Sequence, residues 1–263
     1  MNSEELRIGV FDSGLGGLTV VQSMIQHIKG AKLFYIADTK NAPYGEKTPE
    51  QILQYSLNIT QYLIDTHQID ALVVACNTAT SAAIKELRMT YPNLIIIGTE
   101  PAIKPAIEQT NTGKVGVLAT PATLRGDKYQ ALVDRVSSDK NVKLYEQACP
   151  GLVEHIENDT LESKESIALL EKWLTPMREA NVDTIVLGCT HYPLAQNMII
   201  KVMQKEVVLV DSGYAIAKRL LNLVETIGHK NSGTIELKLY STGKIDKKIV
   251  KTLLNKPIEL ISL

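Results

Sequence analysis

The sequence predicts an α/β protein of two similar domains, each a mostly parallel sheet flanked by helices. Short apolar runs rich in β-branched residues recur along the chain, as expected of strands buried on both faces. Segments of helical length lie between most of these runs. A faint internal repeat and a length of 263 residues, above the usual size of one domain, favour two domains.

The predicted strands are spread along most of the chain. They are residues 7–11, 32–37, 71–75, 94–98, 114–119, 184–188 and 207–210. Among the segments between them, the one after Thr48 has a clear helix start, because Thr48 and Gln51 can form a capping box and Pro49 takes the first helical position. Alternating strands and helices of this kind are typical of parallel sheets covered by their connections.

The internal repeat consists of two pairs of similar segments. The run that begins at Arg7 resembles the run at Lys114, and the run at Asp70 resembles the run at Asp183 at a similar offset. Buried strands resemble one another by chance, so coincidence is the alternative. A cysteine matches a cysteine in the second pair, which favours two related α/β halves.

Composition narrows the classes of function. The formal net charge is −1, with 44% hydrophobic and 22% charged residues and no basic run, which argues against nucleic-acid binding or binding to an anionic membrane. No apolar run approaches the roughly 18 residues of a membrane-spanning helix, and the first residues are acidic where a secretory signal would be basic. We therefore expect a cytoplasmic protein whose three cysteines are thiols.

Cys76 and Cys189 are the strongest candidates for chemistry. Each directly follows a predicted buried strand and precedes a small polar residue. Ligands of open parallel sheets bind beyond the carboxyl ends of the strands, and a following helix N-terminus lowers the pKa of a nearby thiol. A lone cysteine in this position is more often an inert core residue, but the matched placement in both halves favours function.

Two polar turns follow the first two predicted strands. Asp12 and Ser13 stand beside a glycine-rich turn that lacks the spacing of a P-loop or a dinucleotide fingerprint but can offer backbone N–H groups to a carboxylate. Asp12 could equally be a helix cap. The loop after the second strand contains Tyr44, which either covers a ligand or is an ordinary surface tyrosine.

His191, two residues after Cys189, is a candidate acid or base near neutral pH. The Cys-x-His step is too short for the usual zinc sites, so no metal is expected. Glu154 follows the third cysteine, Cys149, on a helical segment where a solvated face is the ordinary interpretation. No cofactor motif is present in the sequence, so the prediction is a protein without a cofactor.

Four motifs taken together resemble the glutamate racemases of the aspartate/glutamate racemase superfamily. They are FDSGLGGLTV at 11–20, ADTKNAPYG at 37–45, ACNTAT at 75–80 and GCTHYP at 188–193. The resemblance implies cofactor-independent, two-base interconversion of L- and D-glutamate, which supplies D-glutamate for peptidoglycan. It also implies two similar α/β domains with the active site in the cleft between them, residues 1–97 with 208–263 forming one and 98–207 the other.

The same resemblance implies roles for individual residues. Cys76 and Cys189 would be the two acid/base thiols, with Asp12 assisting Cys76, and with His191, supported by Glu154, assisting Cys189. The positions that match substrate-holding residues are Asp12, Ser13, Tyr44, Gly45, Asn77, Thr78, Thr190 and His191, with Thr120 and Thr123 matching less distinctively. Cys149 receives no role.

Three alternatives compete with glutamate racemisation at this point. One is a related racemase acting on aspartate or another amino acid, which pocket size would distinguish. Another is a carboxylate-binding regulator without catalysis, since fold does not dictate function. The third is a thiol redox protein, which needs two cysteines within about 7 Å of each other at Cα. The expected partner is glutamate, with no nucleic acid or membrane, and a homodimer is compatible with the sequence.

Overall fold

A computed structural model describes residues 5–136, 142–245, 247–254 and 258–263. The chain divides into two compact units. The first unit comprises Met1–Thr99 and Gly213–Leu263, and the second comprises Glu100–Ser212. Both units are α/β structures with parallel sheets.

The secondary structure alternates along most of the described chain. The N-terminal part of the first unit contains β1 (Leu6–Asp12), α1 (Leu18–His27), β2 (Ala31–Ala37), α2 (Pro49–His67), β3 (Ala71–Val74), α3 (Asn77–Thr90) and β4 (Ile95–Gly98). The second unit contains α4 (Ile103–Gln109), β5 (Lys114–Ala119), α5 (Pro121–Arg125), α6 (Asp127–Val136), β6 (Lys143–Ala148), α7 (Leu152–Glu157), α8 (Lys164–Glu179), β7 (Thr184–Gly188), α9 (Gln196–Met203) and β8 (Val208–Val210). The chain then returns to the first unit with α10 (Gly213–Thr226), β9 (Ile235–Ser241), α11 (Lys247–Leu254) and β10 (Leu260–Ser262).

The sheet of the first unit runs in the order β10-β9-β2-β1-β3-β4, with all described pairings parallel. Its central strand β1 is buried along nearly its whole length, as are β2 and β3. Burial on both faces explains why these strands are continuous apolar runs in the sequence. Helices α2 and α3 cover one face with their apolar sides.

The sheet of the second unit runs in the order β6-β5-β7-β8, also parallel throughout the described pairings. This order repeats the β2-β1-β3-β4 part of the first sheet, with β5 in the place of β1 and β7 in the place of β3. In both pairs of similar segments found in the sequence, the two segments therefore occupy equivalent strands, β1 with β5 and β3 with β7. The predicted fold class, two similar parallel α/β units, is confirmed.

The predicted start of α2 is also present. The backbone N–H of Gln51 donates to Thr48 Oγ1 at 3.3 Å, and the N–H of Thr48 donates to Gln51 Oε1 at 3.1 Å. This reciprocal pair satisfies two backbone donors at the helix end. Within the described residues, no helix has both the length and the apolar character needed to cross a bilayer.

Candidate active site

Cys76 lies just beyond the carboxyl end of β3 and is the N-cap residue of α3. Its Sγ accepts a hydrogen bond from the backbone N–H of Ala79 at 3.4 Å and lies 3.9 Å from Ser13 Oγ. The side chain is buried. A sulfur in this position receives both an N–H donor and the positive end of the helix dipole, which favour negative charge on it. The expected placement of this thiol at a helix start is therefore present.

Asp12 ends β1, the strand next to β3, and is fully buried. Its Oδ2 accepts a hydrogen bond from the backbone N–H of Gly17 at 2.7 Å. A Cβ atom at Gly17 would stand 2.7 Å from Asp12 Cβ and 2.8 Å from Tyr35 Oη. Gly17 is thus needed for close packing around this carboxylate.

Asn77 and Thr78 are the first two residues of α3, and both side chains are buried. Asn77 is only 4% exposed, and its Oδ1 and Nδ2 find no hydrogen-bond partner among the described residues. Leaving a buried amide unsatisfied costs about 1–3 kcal/mol per group. Such a side chain beside Cys76 indicates a site for a polar ligand that supplies both a donor and an acceptor.

Tyr44 begins a short 3-10 turn, Tyr44–Glu46, in the loop after β2. Its phenol is buried and donates to Asp38 Oδ2 at 2.6 Å. Burial, together with the Asp38 carboxylate, raises the pKa of Tyr44 far above its ordinary value. The phenol therefore keeps its proton and directs it to Asp38, while the adjoining Gly45 remains half-buried.

Cys189 follows β7 in the second unit, where β7 is the equivalent of β3. It is buried, and its Sγ lies 3.9 Å from Nδ1 of His191. The residues after it form a 3-10 turn, Tyr192–Ala195, and α9 begins only at Gln196. The two thiols thus differ: Cys76 caps an α-helix directly, whereas Cys189 has an imidazole beside it.

A carboxylate in contact with His191 belongs to Glu157, three residues after Glu154, the residue to which the resemblance assigns the supporting role. His191 Nε2 and Glu157 Oε1 are 2.8 Å apart, with the two side chains 2% and 28% exposed. Glu154 lies on the same short helix α7, and its charge contributes to the raised pKa of the buried Tyr192 after the larger effects of burial and the two nearby cysteines. Residues three apart share a helix face, so the sequence alone does not show which carboxylate of α7 reaches His191.

Three threonines of the second unit lie near the ends of β5 and β7. Thr120 caps α5 by accepting from the N–H of Thr123 at 3.2 Å, and the two hydroxyl oxygens are 2.9 Å apart. Thr190 directly follows Cys189. All three side chains are buried. They add hydroxyl groups at the sheet edge where the neighbouring strands β5 and β7 end.

Cys149 differs from the other two cysteines. Burial raises the pKa of its thiol strongly, with the nearby Cys189 adding to the effect, and its Sγ donates to the carbonyl of Gln147 at 3.5 Å. A neutral, apolar thiol of this kind is a structural residue. None of the three cysteines is in a disulfide. Among the described residues there is no cluster of three or more side chains placed to bind a metal ion.

The sequence-predicted residues fall into two sets. The first unit holds Asp12, Ser13, Tyr44, Gly45, Cys76, Asn77 and Thr78, and the second holds Thr120, Thr123, Glu154, Cys189, Thr190 and His191. Each set lies beyond strand carboxyl ends, where ligands of parallel sheets bind. Each set contains one thiol, at least one further acid or base, and several hydrogen-bonding groups. Together these groups can move a proton on a substrate that bears a carboxylate.

Comparison with known proteins relates this arrangement to one family. The sequence profile described as Asp/Glu/Hydantoin racemase matches residues 8–220. A glutamate racemase of Sulfurovum sp. (strain NBC37-1) is 64% identical over 249 residues, covering 95% of this chain and 94% of that protein. Among solved structures, glutamate racemase from Francisella tularensis in complex with D-glutamate is 26% identical, with a TM-score of 0.84 and coverage of 98% and 97% of the two chains.

Escherichia coli glutamate racemase, solved in complex with L-glutamate and the activator UDP-MurNAc-Ala, is 30% identical, with a TM-score of 0.82 and coverage of 98% of this chain and 97% of that chain. Fold, motif order and full-length sequence similarity thus agree. The chain belongs to the Asp/Glu/Hydantoin racemase family.

Proposed function

We propose that this protein is a glutamate racemase that interconverts L- and D-glutamate and supplies D-glutamate for peptidoglycan synthesis. Support comes from the 64% identical glutamate racemase and from similar structures that bind each enantiomer of glutamate. The observation that carries the proposal in this chain is that Cys76 and Cys189 lie just beyond the carboxyl ends of equivalent strands, because racemisation needs a base for each face of the α-carbon.

In the proposed mechanism the two thiols exchange roles with the direction of reaction. One cysteine, as thiolate, removes the α-proton, and the other, as thiol, returns a proton to the opposite face. Because the α-proton is a very weak acid, the carbanion needs fixed hydrogen bonds to the substrate carboxylate in a site that excludes water. The reaction as proposed uses only these protein groups.

Neighbouring acids and bases tune each thiol. Asp12, at the end of the strand next to Cys76, assists that thiol. Beside Cys189, the Glu157 carboxylate accepts the Nε2 proton of His191, which leaves Nδ1 facing the sulfur. His191 can then take the thiol proton through Nδ1 and carry a positive charge that Glu157 stabilises. We assign to Glu157 the supporting role that the resemblance implied for Glu154.

Substrate binding is assigned to the buried polar groups around the thiols. The amide of Asn77 supplies a donor and an acceptor, which suits an amino acid that bears both an ammonium and carboxylates. Because the phenol proton of Tyr44 is directed to Asp38, the loop holds substrate through the backbone N–H groups of Tyr44 and Gly45. Ser13, Thr78, Thr120, Thr123 and Thr190 supply hydroxyl groups.

The two-base mechanism is tested by starting the reaction in D2O from each pure enantiomer. A monoprotic thiol that removes the proton cannot be the group that returns one, so early product should carry deuterium at Cα while residual substrate stays protiated. NMR of the separated enantiomers measures both pools. Early label that appears equally in substrate and product would refute two thiols of separate function, and Cys76→Ala and Cys189→Ala, which should each abolish turnover, serve as matched variants.

We also propose that the protein acts in the cytoplasm, which the three unbridged cysteines support. Cell fractionation with an activity assay tests this. A homodimer stays a prediction, to be tested by light scattering coupled to size-exclusion chromatography.

A further inference from the structure

We propose that Asp38 and Thr242 form a hydrogen-bonded clamp that positions the Tyr44–Gly45 loop for glutamate. The inference rests on the proposed function, because that function makes the loop a substrate-holding segment. Asp38 and Thr242 act through the loop and are positioning residues. Thr242 is far from the loop in sequence and belongs to none of the four motifs.

The Asp38 carboxylate is the centre of the clamp. It is buried directly after β2, and its backbone N–H donates to the carbonyl of Asp12 at 2.9 Å. Its Oδ2 accepts the phenol proton of Tyr44 at 2.6 Å, and both oxygens accept from Asn41 Nδ2 at 3.1 and 3.0 Å. Hydrogen bonds to a buried carboxylate are among the stronger ones in proteins, so this side chain holds the loop at both Asn41 and Tyr44.

Thr242 ties that carboxylate to another strand. It follows β9, its backbone N–H donates to the carbonyl of Ala37 at 3.1 Å, and its hydroxyl donates to Asp38 Oδ1 at 2.7 Å. The same hydroxyl oxygen accepts from the N–H of Lys40 at 3.1 Å. The hydroxyl group has one proton, so the backbone donor at Lys40 leaves that proton for Asp38.

The clamp continues through the neighbouring residues. Thr39 Oγ1 and Ser241 Oγ are 2.9 Å apart, so the loop is attached to the end of β9 at two successive positions. The loop is thus hydrogen-bonded to a segment that lies about 200 residues further along the chain. If Thr242 no longer donates, Asp38 loses one partner and Tyr44 can move with it. Glutamate would then bind only to the fraction of molecules whose loop is in place, which raises the apparent dissociation constant.

The test is Thr242→Val, which keeps the shape of the side chain and removes the hydroxyl. We expect KM to rise by roughly three- to tenfold for both enantiomers, with kcat within about twofold of wild type. Thr242→Ser, which keeps the hydroxyl, should restore KM. Thr60→Val is the matched control, because Thr60 is a buried threonine of the same unit that donates to the carbonyl of Ser56 at 2.7 Å, apart from the clamp.

KM and the melting temperature together distinguish a positioning role of Thr242 from a merely structural one, and the activity of the wild-type protein tests the proposed function separately. If Thr242→Val lowers the melting temperature but leaves KM unchanged, the residue is merely structural and the inference is overturned. An equal rise in KM for Thr60→Val also overturns it. Tyr44→Phe combined with Thr242→Val should raise KM less than the product of the single effects, because both act through Asp38. Absence of racemisation by the wild-type protein would instead refute the proposed function.

Discussion

Replacing Glu157 by Gln tests the His191 arrangement most directly. The amide oxygen of Gln can still accept the Nε2 proton of His191, so the ring keeps its orientation and tautomer. What disappears is the negative charge 2.8 Å from the ring. The substitution therefore isolates how much the carboxylate stabilises a positively charged imidazole during the proposed proton transfer with Cys189.

The expected loss of kcat/KM follows from the geometry and burial of the pair of His191 and Glu157. His191 is 2% exposed and Glu157 28%, so solvent screens the pair only in part. A hydrogen bond to a charged group contributes about 1.5–3 kcal/mol against about 0.5–1.5 kcal/mol for a neutral one. A loss of about 1–2 kcal/mol in the transition state corresponds to a decrease of about 5- to 30-fold in kcat/KM. Both directions must fall equally, because the equilibrium constant between enantiomers is unity.

Circular dichroism of separate L- and D-glutamate reactions measures this decrease. Glu154→Gln is the matched control, since it makes the same change on the same helix away from the described His191 contact, and we expect less than about a twofold effect. A larger loss in Glu154→Gln than in Glu157→Gln would refute the assignment. So would an unchanged kcat/KM in Glu157→Gln.

Two further predictions concern Asn77 and His67. Asn77→Ala removes a buried amide that has no described partner, so the melting temperature should hold or rise while KM for glutamate rises about tenfold or more, and a fall in melting temperature with unchanged KM would show a structural role instead. Burial, with the charges of Lys238 and Arg7, lowers the pKa of His67 below 6.5. The unfolded chain thus takes up a proton at a higher pH than the folded one, so His67 contributes stability that is present above pH 6.5 and is lost as pH falls through its folded pKa. His67→Phe, which retains a ring to stack on Phe34, should flatten the decrease in the free energy of unfolding below pH 6.5, and denaturant titrations with an unchanged pH slope would contradict this.

The sequence predicted the strands that are continuous apolar runs, including the edge strands β4 and β8, and missed three strands that are not recognisable as such runs. Residues 184–188 were predicted and observed as the same strand, and the other apolar runs match within one or two residues. Strands β6, β9 and β10 were missed. The reason is visible in β6, an edge strand that is mostly half-exposed and carries polar residues, and in β9, whose first half alternates between half-buried and exposed positions. An apolar run is the signal only where both faces are covered.

Site residues, too, could be predicted from the sequence only where a local pattern marks them. Residues held by local geometry, such as Cys76 at its helix start, could be placed from the sequence because strand end and cap are local features. The contact of Glu157 with His191 could not be predicted, since it depends on the exact direction of a six-residue helix. Thr242 had no local signal, because its contact with Asp38 exists only through the pairing of β2 with β9.

That pairing has a consequence for how the protein is made. Strand β2 pairs with β9 over seven residues, from Ala31 with Ile235 to Ala37 with Ser241, and the whole second unit is synthesised between them. During translation the second unit, which is continuous in sequence, can complete its core while β2 still presents an unpaired edge. An unpaired edge is prone to wrong association, and contacts so distant in sequence form slowly. The Tyr44–Gly45 loop therefore acquires its hydrogen bonds to Thr242 only after β9 has left the ribosome, so nascent chains interrupted before that point should be the aggregation-prone species.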